Sequence, residues 1–128
     1  MLGILPTRIH GYLDYMMGAL LVVAPLTLNF GAGVATWLPA LMGCGVIVYS
    51  MLTRYELGAS GLIPMPVHLV LDVMGGLLLA ASPWLFGFAD SIWLPHVAVG
   101  LTEAGVAMIT RTRPSLVPAP EGRIGAAA

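Results

Sequence analysis

The sequence predicts an all-α membrane protein of four transmembrane helices, formed by two parallel two-helix repeats with both termini cytoplasmic. Three observations carry that expectation: an apolar chain with little charge, breaks that cut it into four stretches of spanning length, and an internal repeat. Of the 128 residues 59% are hydrophobic and 9% charged, and mean hydropathy is +0.94. A soluble domain carries roughly 25% charged residues, enough to clothe an outer face that this chain lacks. From Tyr15 through Thr53 there is no Asp, Glu, Lys or Arg, and between Leu57 and Thr110 the charged residues are Asp72, Asp90 and Glu103.

Crossing roughly 30 Å of hydrocarbon takes about 20 helical residues, so two long apolar regions must each be divided. Asn29-Phe30-Gly31-Ala32-Gly33 punctuates the first, giving helices near Gly11 to Leu28 and Ala35 to Thr53. Gly87 to Ser91, with Asp90 in the turn, divides the second into helices near Pro66 to Phe86 and Ile92 to Thr110. Arg54 to Pro64 is an interfacial loop between the pairs. Arg8 before an apolar stretch has the look of a secretory signal, but Asp14 interrupts the run, which continues past the usual length with no convincing small-x-small cleavage site, so the segment is read as a mature first helix.

Charge sets the expected topology. With four spans, Arg8, Arg54, Arg111, Arg113 and Arg123 all fall on one side and the two short turns opposite carry no Lys or Arg. The positive-inside rule makes the arginine side cytoplasmic. Trp37, Trp84 and Trp93 fall near the opposite helix ends, where interfacial indoles belong. The transmembrane domain is assigned to residues 1–113, with repeat units 10–54 and 68–111, and the Pro-, Gly- and Ala-rich segment 114–128 is read as a cytoplasmic tail. A net charge of -1 offers no basic surface for nucleic acid. Cys44 is the single cysteine, which rules out an internal disulfide, and its apolar setting predicts a buried, inert thiol.

The repeat is the most specific feature. His10, Asp14, Gly18, Pro25 and Phe30 recur as His68, Asp72, Gly76, Pro83 and Phe88 at an offset of 58. After a small shortening Trp37-Leu38-Pro39 is echoed by Trp93-Leu94-Pro95, and Met51, Thr53 and Arg54 by Met108, Thr110 and Arg111. Each unit holds two spans, so both enter the membrane from one side, related by a pseudo-twofold axis along its normal. Lipid supplies no hydrophobic drive between helices, so contacts rest on small residues or polar groups. Gly18 and Gly76 are the expected close-contact positions, with Gly100 and Ala104 a further smooth patch.

Ala81-Ser82-Pro83-Trp84 followed by Leu85-Phe86-Gly87-Phe88 resembles the signature of the SPW-repeat membrane proteins, small bacterial and archaeal proteins with one or two copies of a two-helix unit. The resemblance spans residues 10 to 111 and implies a multi-pass protein of a bacterial or archaeal cytoplasmic membrane; it supplies no chemistry. In the first unit Ala24, Pro25 and Leu26 occupy the motif positions, so only the proline survives. Pro83 lacks a backbone donor and disturbs the last helical turns, Ser82 is placed to satisfy a carbonyl so released, and Trp84 to sit at headgroup level. That structural reading ranks above a ligand or partner contact.

His10 and Asp14 share a helical face, as do His68 and Asp72. The first reading is structural: carboxylates in the first turns favoured by the helix's positive end, with histidines that cap, pair or meet headgroups. A proton or cation entry point about the pseudo-twofold axis ranks second. Metal or haem ligation at His10 and His68 ranks third, so no cofactor is expected. Glu103 lies about eight residues, roughly 12 Å, inside the end of the last helix; a carboxyl there must be protonated, hydrogen-bonded or engaged by a partner. His96 is on roughly the same face but about 10 Å away, and Val46 holds the equivalent place in the first unit. No catalytic set is visible: Ser82 has no nearby base, and no nucleotide loop or zinc-protease motif occurs. The leading expectation is therefore a non-enzymatic accessory subunit organising a membrane assembly, in contact with lipids and with its own copies or other membrane proteins. The alternative is a small proton-linked transporter or channel-like oligomer using His10, Asp14, His68, Asp72 and Glu103.

Overall fold

The computed structural model describes residues 1–116 as four helices, with no strand among them: α1 Thr7–Thr27, α2 Val34–Leu52, α3 Met65–Leu85 and α4 Leu94–Ile109. Three of these are long and apolar enough to cross a membrane, and α4 is a shorter apolar helix. The breaks fall where the glycine and asparagine clusters place them. Each helix ends one residue before its expected end, and the largest shift is at a start: α1 begins four residues early because Pro6, extended at φ -63° and ψ 142°, hands directly to Thr7. Pro64 does the same for α3. The tail expected over 114–128 lies, from residue 117 on, outside the described residues.

Pro25, Pro39 and Pro83 sit inside helices, a placement costly in water and tolerated in a bundle where other groups take the freed carbonyls. α1 and α3 close alike. Asn29 and Gly87 adopt positive φ, 52° and 72°, and the following Phe30 and Phe88 N–H groups donate back to the Pro25 and Pro83 carbonyls at 3.1 and 2.8 Å. This six-residue closure needs a left-handed residue just past the helix, which glycine accepts freely and asparagine better than most.

α1 packs along α2, and α3 along α4, much more extensively than α2 meets α3. Each hairpin is drawn together by a glycine crossing. A Cβ on Gly76 would fall 2.5 Å from the Gly100 carbonyl oxygen and 2.8 Å from the Ala104 nitrogen, and one on Gly43 would fall 2.5 Å from the Gly18 oxygen. Gly18 and Gly76 are therefore close-contact residues within hairpins, facing Gly43 and Gly100.

The ends join crosswise. Leu5, before α1, bridges Thr110 at the end of α4, and Ile63, before α3, bridges Thr53 at the end of α2. The starts of α1 and α3 and the ends of α2 and α4 thus share one end of the bundle, called here the near end. Much of the outer surface is apolar, with Met16, Leu20, Met74 and Leu101 exposed, as a lipid-facing surface requires. Cys44 is exposed on this surface and is not buried as expected; the apolar stretch around it reflects lipid contact, which composition alone does not distinguish from a protein core.

Candidate functional site: a buried histidine–aspartate quartet

His10, Asp14, His68 and Asp72 meet at the near end of the bundle, where α1 and α3 approach each other. Their relative exposure is between 0% and 2%. The i, i+4 spacing puts each histidine one turn before its aspartate, and the crosswise closure brings the two faces together. The His10 and His68 Nε2 atoms lie 3.2 Å apart. His10 Nε2 is 3.2 Å from Asp14 Oδ1 and 3.1 Å from Asp72 Oδ2; His68 Nε2 is 3.0 Å from Asp14 Oδ2 and 3.1 Å from Asp72 Oδ2.

The first helical turns of α1 and α3 hold no acidic residue. Asp14 and Asp72 lie about two turns in, where the macrodipole has faded, so the helix-end account expected for them is replaced by direct pairing across the bundle. A surrounding ring of hydroxyls completes the site. Thr53 Oγ1 is 2.8 Å from His68 Nδ1 and donates to the Tyr49 carbonyl at 2.6 Å. Thr110 Oγ1 is 3.0 Å from His10 Nδ1 and donates to the Val106 carbonyl at 2.6 Å. The Tyr49 hydroxyl donates to Asp72 Oδ1, and Ser50 Oγ to Asp14 Oδ2 at 3.3 Å. Tyr55 packs with its ring centroid 5.7 Å from that of His68, and burial pushes its phenol up from the ordinary value.

Thr53, Thr110, Tyr49 and Ser50 escaped the sequence reading as site residues. The threonines carried a signal, since they repeat in step with the histidines; Tyr49 and Ser50 have no hydroxyl counterpart in the second unit, where Val106 and Ala107 stand.

Glu103 is buried midway along α4. Its Oε1 has no hydrogen-bond partner among the described residues. It borders two crevices, one shared with Asp14, Leu13 and Met17 and one shared with Asp72, Tyr49 and Leu71. His96 belongs elsewhere, at the far end. Its Nε2 donates to the Ala35 carbonyl at 2.9 Å, and its ring lies between Phe30 and Phe88, centroids 5.5 and 4.9 Å away. Ala35 is four residues before Pro39, so its carbonyl is the one that the missing proline N–H leaves free. His96 replaces that donor from another helix.

A proline likewise shapes the motif in the second unit. Ser82 Oγ is fully buried and donates to the Leu79 carbonyl at 2.7 Å, the acceptor that Pro83 abandons. Trp84 is exposed, its ring tilted 42° to that of Trp93 with centroids 6.3 Å apart, Gly87 is the left-handed closing residue and Phe88 packs against His96. The family model of the SPW repeat domain matches residues 8–110. This chain belongs to the SPW repeat family. No curated protein and no solved structure matches it. With its apolar helices, the SPW repeat domain makes the chain a membrane protein. In the first SPW unit Ala24 stands where Ser82 stands in the second, so Pro25 has no equivalent side-chain donor before it.

Proposed function

We propose that this SPW protein is a non-enzymatic accessory subunit of a membrane assembly, inserted as two parallel hairpins about a pseudo-twofold axis with the near end cytoplasmic. The observation that carries the reading is the uneven packing of the bundle. Each hairpin is closed by a glycine crossing, while α2 and α3 meet sparsely and leave a mostly apolar crevice of about 160 Å³ bordered by Met42, Gly45, Val46, Leu71 and Gly75, with Tyr49, Asp72 and Glu103 also in its wall. Small residues and a smooth crevice suit close approach of another transmembrane helix. Arginines clustered at the near end support the orientation. A photo-crosslinking side chain at Met42 or Leu71 tests the role in native membranes. The expected product is an adduct with a second membrane protein; adducts with lipid alone would sink the reading.

A second reading, a small proton-linked transporter or channel-like oligomer, is favoured by one specific observation. The buried Glu103 has an unpartnered oxygen and borders crevices that also reach Asp14 and Asp72. Proton flux in liposomes decides it. Flux in the wild type that is lost in a normally assembled Glu103→Gln variant supports transport, and no protein-dependent flux across a range of pH and membrane potential removes it.

A further inference from the structure

We propose that the quartet binds one divalent first-row transition-metal ion, zinc(II) or a close analogue, through His10 Nε2, His68 Nε2 and one carboxylate oxygen each from Asp14 and Asp72. The threonines set the tautomers of both histidines, whatever the protein's role in an assembly. A hydroxyl has one hydrogen. Thr53 spends it on the Tyr49 carbonyl and Thr110 on the Val106 carbonyl, so each must accept from its histidine, and both rings carry their hydrogen on Nδ1. Both Nε2 lone pairs then point at each other and at two carboxylates. Four electron-rich atoms converge with no donor among them.

Something positive has to occupy that centre, and the distances select what. Four ligands about 2.0 Å from a tetrahedral ion lie about 3.3 Å from one another. With Asp14 Oδ2 and Asp72 Oδ2 as the carboxylate ligands, four of the six separations run from 3.0 to 3.2 Å, Asp14 Oδ1 lies 3.2 Å from His10 Nε2, and one ligand atom from each residue lies within 4.8 Å of all the others. The rival filling is a proton on each Nε2. An N–H points along one line, however, and each Nε2 has three polar neighbours at nearly equal distance; a single central ion satisfies them together.

Charge and surroundings agree. Two carboxylates neutralise a dication, which suits a site at the edge of a low-dielectric bundle. Histidine ligands characteristically donate their second nitrogen to an oxygen that fixes the tautomer, as His10 and His68 do to Thr110 and Thr53. Tyr49 holds Asp72 by Oδ1 and leaves Oδ2 to face both nitrogens. Imidazole with carboxylate suits zinc, iron(II), manganese or cobalt, and four protein ligands with no open position describe a structural site.

The test uses the full-length protein in mild detergent, stripped with chelator, given zinc(II) or cobalt(II) at equimolar concentration and passed through gel filtration. One zinc per chain by elemental mass spectrometry, and visible absorption of four-coordinate cobalt(II), are expected, and Asp72→Asn should lose both. Thr53→Val, which leaves the ligands in place, should weaken zinc binding about 10- to 100-fold, and Thr53→Ser should restore it. Circular dichroism and elution volume identify any variant that fails to fold. Folded wild type that retains neither ion overturns the proposal, as does zinc binding unchanged by Asp72→Asn, or equal affinity in wild type and Thr53→Val.

Discussion

His96→Leu should destabilise the bundle when residue 39 is proline and much less when it is alanine. In the native chain the Ala35 carbonyl is buried next to Pro39, which has no N–H, and its donor is His96 Nε2 at 2.9 Å. Removing that donor strands an acceptor where water is scarce, at a cost of about 1–3 kcal/mol. The lower end is the better guide, because interhelical hydrogen bonds in bilayers average about 0.6 and reach about 1.7 kcal/mol. The variant also loses ring contacts with Phe30 and Phe88, a loss common to both backgrounds. Pro39→Ala restores a helical N–H to the Ala35 carbonyl, so in that background His96→Leu costs the ring contacts alone. The four proteins of the cycle, unfolded by denaturing detergent and followed by tryptophan fluorescence, should give a coupling energy of about 1 kcal/mol. A coupling within about 0.3 kcal/mol of zero, the scatter expected of independent sites, would refute the assignment of His96 as the surrogate donor.

Gly100→Ala should destabilise by about 1–3 kcal/mol, because its Cβ would lie 2.6 Å from the Ala80 nitrogen, a backbone atom that cannot swing aside. Gly105→Ala, with nothing within 4 Å, should be neutral or slightly stabilising; equal thermal stability of the two in detergent would count against the glycine crossing. Ser82→Ala should cost about 1 kcal/mol by freeing the Leu79 carbonyl, whereas Ala24→Ser, which offers a donor to the carbonyl that Pro25 frees, should be neutral or stabilising in the same assay. Cysteines placed in residues 54–61 of a Cys44→Ala protein should react with a membrane-impermeant reagent only from the cytoplasmic side, and reaction only from the other side would invert the topology. Cys44→Ala itself should leave stability unchanged, since the thiol lies on the exposed surface.

The fold was legible because the bilayer reduces it to one dimension. Span lengths and the Asn29 and Gly87 breaks follow from sequence, and the repeat told in advance that His10 and His68 hold equivalent places. What sequence cannot give is the rotation of one helix against another. His10 and Asp14 read equally well as a surface pair or as half of a buried quartet, and only the approach of α1 to α3 chooses. Cys44 failed for a related reason, since apolar neighbours signify a protein core or lipid with equal force. His96 shows the opposite limit. Its role depends on the carbonyl of Ala35, 61 positions away, and the clue was the proline at 39, a residue that announces an unpaired acceptor without naming its donor.

The two kinds of contact expected of helices in lipid are divided between two levels of this structure. Small residues close each hairpin, at Gly18 with Gly43 and at Gly76 with Gly100, whereas the joint between hairpins is polar at both ends. His96 reaches from α4 to the start of α2 at the far end, and Thr110 and Thr53 hold histidines of the other unit at the near end. With the Tyr49–Asp72 bond these make four side-chain hydrogen bonds, roughly 2.4 kcal/mol at about 0.6 kcal/mol each, beside the backbone bonds that tie residues 2–5 to the end of α4, in a joint that leaves Glu103 between open crevices. In zinc-finger peptides a structural zinc contributes on the order of 10 kcal/mol. What fills the quartet therefore bears on how the joint is held: two protons leave the cross-hairpin His10–Asp72 and His68–Asp14 ion pairs, and one ion ties all four residues to a single centre. Stability measured with and without zinc reads this directly: a rise in unfolding temperature confined to chains with all four quartet residues would place the strength of the joint there, and no rise in a folded chain shown to hold zinc would return it to the other contacts between the hairpins.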